Sequence, residues 1–243
     1  HLLEWLAADP VDVVCLQETK LTDDKFPADA LAQAGYDAVW SGQPTYNGVA
    51  ILARRDTVGA PASPTIGNPL FADEQRRLIS ASVGGLRLVC AYFPTGQSVD
   101  SDKYQYKLRW LKALADTAAE ELTTHPDLAL LGDFNVAPTD EDVWDIDVFH
   151  DSTHVTAQER AGLELIKAAG LTEIEPRPLK YDRAFTFWDY RQLAFPKNRG
   201  MRIDLVYATG SVASRVTDAY SDREARKGRS ASDHAPVVVD LAD

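Results

Sequence analysis

The sequence predicts one α/β domain in which two packed, mixed sheets are flanked by helices. Three observations lead there. Hairpin-like strand pairs, such as RLISASV and LRLVCAYF meeting at Gly84-Gly85, alternate with strands separated by helices. The strands are short, β-branched and apolar, as strands covered on both faces are. Two long segments, 102–124 and 157–169, carry apolar residues at helical spacing. At 243 residues, 45% hydrophobic, the chain is long enough to close one large core. No repeat, low-complexity stretch or linker divides it.

In chain order, residues 1–8 read as the end of an amphipathic helix stopped at Asp9-Pro10. VDVVCLQE, 11–18, reads as a strand buried on both faces. A short helix at 28–34 closes at Gly35. YDAVWSG and NGVAILAR follow as strands, with turn signals at Pro44 and Asn47-Gly48. Residues 56–75 form a Gly/Pro-rich loop before the hairpin. In 102–124, Tyr106, Trp110, Leu111, Leu114, Ala118 and Leu122 mark the buried stripe of a helix. LALLGDFN is the next strand, 157–169 a helix capped by Gly170, and MRIDLVYA and APVVVDL the last strands.

Composition narrows the class. With 9% aromatics and 5 Trp, the chain is not disordered. No apolar run reaches membrane-spanning length, and no basic region with an apolar h-region marks a secretory signal. Cys15 and Cys90 both fall in predicted buried strands without metal or disulfide spacing, which suits free thiols in a reducing, cytoplasmic compartment. A net charge of −12 argues by itself against a nucleic-acid partner. Binding depends on where charges sit, however, and the bases gather at Arg76-Arg77, Lys197 to Arg202 and Arg223 to Arg229.

Five polar signals sit at strand ends: Glu18 in LQETK, Tyr92 in AYFPTG, Asp133 and Asn135 in GDFN, Asp204 in RIDLV, and Asp233-His234 in SDHAP. A carboxylate closing a buried strand is costly unless it is paired or binds a cation. Strand alternation puts Asp133 and Asn135 on one face with Phe134 opposite; an Asx-turn would explain one of that pair. Each signal is weak singly. Together they give oxygen ligands and one histidine, a set that suits Mg²⁺ or Mn²⁺ rather than Zn²⁺ and equips a site for phosphodiester hydrolysis.

LQETK, NGVAIL, AYFPTG, GDFNVAPTD, FTFWDYR, NRGMRIDLVYA and SDHAPV, in this order, resemble the exonuclease III group of abasic-site endonucleases within the endonuclease/exonuclease/phosphatase superfamily. The likeness runs over nearly the whole chain. It implies a four-layer α/β/β/α sandwich of the DNase I type. It implies Glu18 as the principal Mg²⁺ (or Mn²⁺) ligand, with Asp133, Asn135 and Asp233 as further metal or water-positioning groups. It gives His234 the scissile phosphate or a proton, Asp204 the orientation of His234, and Tyr92 the phosphate or leaving group. Arg77, Trp188, Arg199 and Arg202 become DNA contacts. Phe187, Met201 and Ile203 become an apolar slot for a flipped-out baseless sugar, which a normal nucleotide would not fit.

The implied activities are 3′-to-5′ exonuclease, cleavage 5′ of abasic sites and removal of 3′ phosphates on double-stranded DNA, in a cytoplasmic, nucleoid-associated protein with monomer as the default. One departure qualifies the resemblance. The family's first strand, ending in an Asn, has no counterpart, so the single domain 1–243 is expected to lack it and to be less stable and weaker in metal binding. The rival readings are an inactive DNA-binding remnant and a phosphatase acting on inositol phosphates or lipid headgroups.

Overall fold

The computed structural model describes residues 1–243, which divide into two units, 1–92 with 116–132 and 93–115 with 133–243. In the first unit α1 (Leu2–Ala8) stops at Asp9, ahead of Pro10, whose ring cannot continue a helix. Strands β1 (Val13–Gln17), β2 (Tyr36–Ser41) and β3 (Val49–Arg54) form an antiparallel sheet in the order β1-β3-β2. The central position of β3 buries Val49 through Ala53 completely, as its unbroken apolar run requires. Helix α2 (Ala28–Gln33) closes at Gly35, whose φ of 94° is a left-handed cap. Leu6 of α1 and Leu31 of α2 pack with Phe26, Tyr36, Ala50 and Leu52, so both helices cover one face of this sheet.

After α3 (Arg55–Val58), a second sheet of the same unit sets β4 (Ala62–Ile66), β5 (Leu78–Val83), β6 (Leu86–Tyr92) and β7 (Leu128–Asp133) side by side in that order. The β5–β6 hairpin turns through Gly84 at φ 55° and Gly85 at φ 84°, the two positive values that a type I′ turn needs. The sheets meet face to face: Cys90 Sγ of β6 lies 3.4 Å from the carbonyl of Leu16 in β1 and 3.7 Å from that of Ala50 in β3. Both cysteines are free thiols. The Cys90 contact and burial hold the Cys15 thiol well above its ordinary pKa.

Two expectations change here. β1 is half-buried along its whole length, because it is an edge of its sheet rather than a central strand. The stretch taken as loop, 56–75, contains β4; its residues are mostly exposed and its pairing with β5 slips between Ala62 and Thr65, so no apolar alternation announces it.

The second unit begins at Phe93 and takes in the first part of α4 (Asp102–Glu121). Helix α5 (Ala157–Ala168) starts with a capping box in which Thr156 and Glu159 each satisfy the other's backbone. Gly162 lets α5 lie against Leu111 of α4; an added Cβ would sit 3.3 Å from that side chain. β8 (Thr172–Glu173) pairs antiparallel with β9 (Asp204–Ala208), and after α6 (Gly210–Ala213) β10 (Val216–Ser221) pairs with β11 (Val237–Leu241). Phe134 is fully buried between the rings of Phe93, 4.1 Å away, and Tyr207, 5.5 Å away. It fixes the chain at the point where β7 ends. No helix is long and apolar enough to cross a membrane.

Candidate active site

β7 delivers its last residue, Asp133, after a close approach that only glycine permits: a Cβ on Gly132 would lie 2.0 Å from the carbonyl oxygen of Ala91. The strand ends there. The Asn135 N–H donates to Asp133 Oδ1 at 3.0 Å, an Asx-turn, and Asn135 takes a left-handed φ of 49°. The period-two alternation expected to align Asp133 with Asn135 therefore does not reach Asn135. The turn places that side chain, not the strand.

Asp204, the first residue of β9, and His234, in the loop before β11, complete a cluster with Asp133: one ligand atom from each lies within 4.8 Å of the others. His234 Nδ1 is 2.8 Å from Asp204 Oδ2, and its Nε2 is 3.7 Å from Asp133 Oδ2. Burial would lower the pKa of this ring, but the Asp204 and Asp133 carboxylates outweigh it and raise it to about 10. His234 is held between two carboxylates that favour its protonated form in the metal-free protein. The donor set, carboxylate oxygens with no thiolate, fits a hard divalent cation. His234 is committed to Asp204 through Nδ1, so the carboxylates are the groups left to hold a metal. Asp233 lies outside the cluster, although its charge also acts on His234.

Phe187 packs against the buried pair Met201 and Ile203, and its ring centroid is 5.0 Å from that of His234. The three residues expected to form one apolar slot are thus together, with Phe187 the least buried. Arg199 is exposed and lies over the Trp144 ring at 4.8 Å.

Two expected DNA contacts are corrected. Arg202 is 6% exposed; it grips Asp142 through two nitrogens, at 2.7 and 3.1 Å, and also binds Glu173. Burial would lower its pKa, and these carboxylates raise it instead. Trp188 is 1% exposed and donates its indole N–H to Asn198. Both side chains are buried and already partnered within the protein. Arg223 and Arg226, from the third basic cluster, are likewise buried, against the Phe195 ring.

The first unit holds the other expected site residues. Glu18 and Lys20 both have left-handed backbones, φ 54° and 56°, and their side chains pair at 3.0 Å. Strain of this kind persists where the surroundings over-determine it, and it gathers at functional loops. Tyr92 ends β6 with Arg77 over its ring at 4.8 Å; Arg77 also donates to the Tyr92 carbonyl.

Sequence reasoning missed a buried group in the second unit. Lys107 of α4, fully buried, donates to Glu159 at 2.5 Å and to the Asn135 carbonyl at 2.7 Å. His154 Nε2 is 3.2 Å from Asn135 Oδ1. Burial, then the Lys107 charge, lowers the His154 pKa to about 4. The local signal was Thr156-x-x-Glu159, a capping box that places Glu159 at the start of a helix.

The model of the endonuclease/exonuclease/phosphatase family matches residues 1–234. The chain belongs to this family. Family members similar to it include the exodeoxyribonuclease III of Haemophilus influenzae, 30% identical over 95% of this chain and 90% of that protein. A 3′ phosphatase from Neisseria, solved bound to a product DNA hairpin, is 39% identical with a TM-score of 0.94, covering 99% of this chain and 93% of that one. An AP endonuclease from Archaeoglobus fulgidus is 32% identical with a TM-score of 0.92, covering 99% and 92%. The family fold, DNase I-like α/β with mixed sheets flanked by helices, is the fold of this chain.

Proposed function

We propose that this family member is a DNA repair phosphodiesterase of the exodeoxyribonuclease III type. It trims 3′ ends, removes 3′ phosphates and other blocking groups, and cuts 5′ of abasic sites in double-stranded DNA. The observation that carries the reading is the Asp204–His234–Asp133 line: an imidazole oriented through Nδ1 by one carboxylate, with Nε2 facing a second. The relatives, an exodeoxyribonuclease III, a 3′ phosphatase and an AP endonuclease, support the same chemistry.

In this proposal Asp204 fixes the orientation of the His234 ring and favours its protonated form, as buried carboxylates do for histidine in other hydrolases. The cationic His234 stabilises charge developing on the scissile phosphate. Asp133 orients the attacking water and accepts its proton, and Asn135 helps to position that water. Asp133 and Asp233 are assigned to a divalent cation, Mg²⁺ or Mn²⁺, which when bound would neutralise phosphate charge, and Glu18 is likewise proposed as a metal ligand. Tyr92, Arg77 and Arg199 are assigned to phosphates of the DNA. Phe187, backed by Met201 and Ile203, accepts the baseless sugar. The free thiols agree with a cytoplasmic setting.

The test is a duplex carrying one abasic analogue and a second with a 3′ phosphate, each incubated with Mg²⁺ or with EDTA. Metal-dependent incision 5′ of the analogue and phosphate release are expected. Binding without turnover on either substrate would overturn the reading.

A further inference from the structure

His154 stands in a conformation that its side chain makes costly. Its φ is 83°, in the region that favours glycine. The chain nevertheless keeps an imidazole there, and the ring meets the side chain of Asn135.

The hydrogen bonds around that contact have one consistent direction. The carbonyl of Phe93 can only accept, so the Asn135 group 2.8 Å from it is the amide nitrogen Nδ2. Oδ1 then points at His154, and Nε2 of the ring must carry the proton and donate, at 3.2 Å. In a neutral ring Nδ1 is the acceptor, and it takes the hydroxyl of Thr153 at 3.1 Å. The main chain of Asn135 is held as firmly: its N–H donates to Asp133 and its carbonyl accepts from Lys107. Without the ring the carboxamide is tied at one end alone and can swing about its last torsion.

We propose that His154 is a positioning residue, the Nε2–H donor that locks the Asn135 carboxamide in the orientation needed beside Asp133. It touches neither substrate nor metal in this role. The assignment rests on the nuclease reading above and deepens it, since it names what holds the water-positioning amide in place. Partners of this kind, one contact removed from the reacting groups, change activity about 10- to 100-fold when deleted.

Two variants test it. His154→Gly deletes the ring while relieving the strained backbone, so it separates positioning from stability. His154→Gln keeps a side-chain N–H donor. On the 3′-phosphate and abasic duplexes with Mg²⁺, His154→Gly is expected to lower kcat by about 10- to 100-fold with KM for DNA little changed and Tm close to that of the parent. His154→Gln is expected to recover part of kcat. Ring-nitrogen NMR of the metal-free parent is expected to show the neutral tautomer with Nε2 protonated. Full kcat in His154→Gly, equal loss in both variants, or the Nδ1-protonated tautomer would each overturn the assignment. A parent protein without metal-dependent turnover would instead refute the nuclease reading, and the tautomer would still decide how Asn135 is held.

Discussion

His234 Nδ1 lies 2.8 Å from Asp204 Oδ2, and this bond sets which ring nitrogen faces Asp133. Asp204→Asn keeps the shape of the side chain but offers the wrong hydrogen-bonding end. In other hydrolases that change costs up to about 10⁴ in kcat. Steady-state turnover on a 3′-phosphate duplex should fall by about 10²–10⁴ in Asp204→Asn, with circular dichroism unchanged. A loss below tenfold would mean that Asp204 does not orient the ring.

Two histidines give the metal-free protein opposite pH sensitivities. His234, raised to about 10 by Asp204 and Asp133 against the effect of burial, stabilises the fold fully below its unfolded pKa near 6.5. That contribution is lost as pH rises from 6.5 through 10. His154, lowered to about 4 by burial and Lys107, acts the other way. Its unfolded form binds a proton that the folded form refuses, so stability is lost as pH falls from about 6.5 toward 4. Urea melts in EDTA across pH 4 to 10 should show a maximum between these limits. His234→Gln should flatten the alkaline limb, and His154→Gly the acid limb.

Asp133 and its neighbour Phe134 should fail in different assays. Asp133→Asn should abolish cleavage while leaving folding and DNA binding largely intact. Phe134→Ala removes a fully buried ring stacked on Phe93 and Tyr207, and should cost about 3–5 kcal/mol of stability. Thermal melts and binding titrations of the two variants separate these outcomes.

Arg202 and Arg199 offer a second contrast. Arg202→Met leaves Asp142 and Glu173 without their shared cation, and breaking a buried pair in this way costs about 3–5 kcal/mol. Its folded fraction should bind DNA with unchanged salt dependence. Arg199→Ala, at an exposed position, should leave Tm alone and reduce the slope of log K against log salt by about 1. The reverse pattern would restore Arg202 as a DNA contact.

These contrasts follow what could be read from the sequence. Asp133, Asp204 and His234 were legible because a polar residue at the end of an apolar strand has few inexpensive explanations. Most of the strands were legible as apolar runs bounded by Gly and Pro. Arg202 misled because its partners, Asp142 and Glu173, come from distant segments, and a guanidinium in a basic run reads as surface until its carboxylates are known. Lys107 sits on an amphipathic helix and reads as a solvated residue, yet it is fully buried. β4 and β10 escaped because exposed or interrupted strands carry no alternation: Asp218, in the middle of β10, faces out to pair with Arg177. His154 escaped because a lone histidine in a loop has no local pattern, and its backbone strain appears only in three dimensions.

Glu159 serves two structures at once. One of its oxygens caps the start of α5 through Thr156, and the other holds the ammonium of Lys107, which in turn holds Asn135. Fraying of the first turn of α5 would therefore release the loop at Asn135, and the two cannot loosen independently. In amide hydrogen exchange the start of α5 and the segment from Asp133 to Ala137 should open as one cooperative unit, slower than the rest of the helix's exposed face. A cap that elsewhere would only begin a helix here sets how often the reaction centre comes apart.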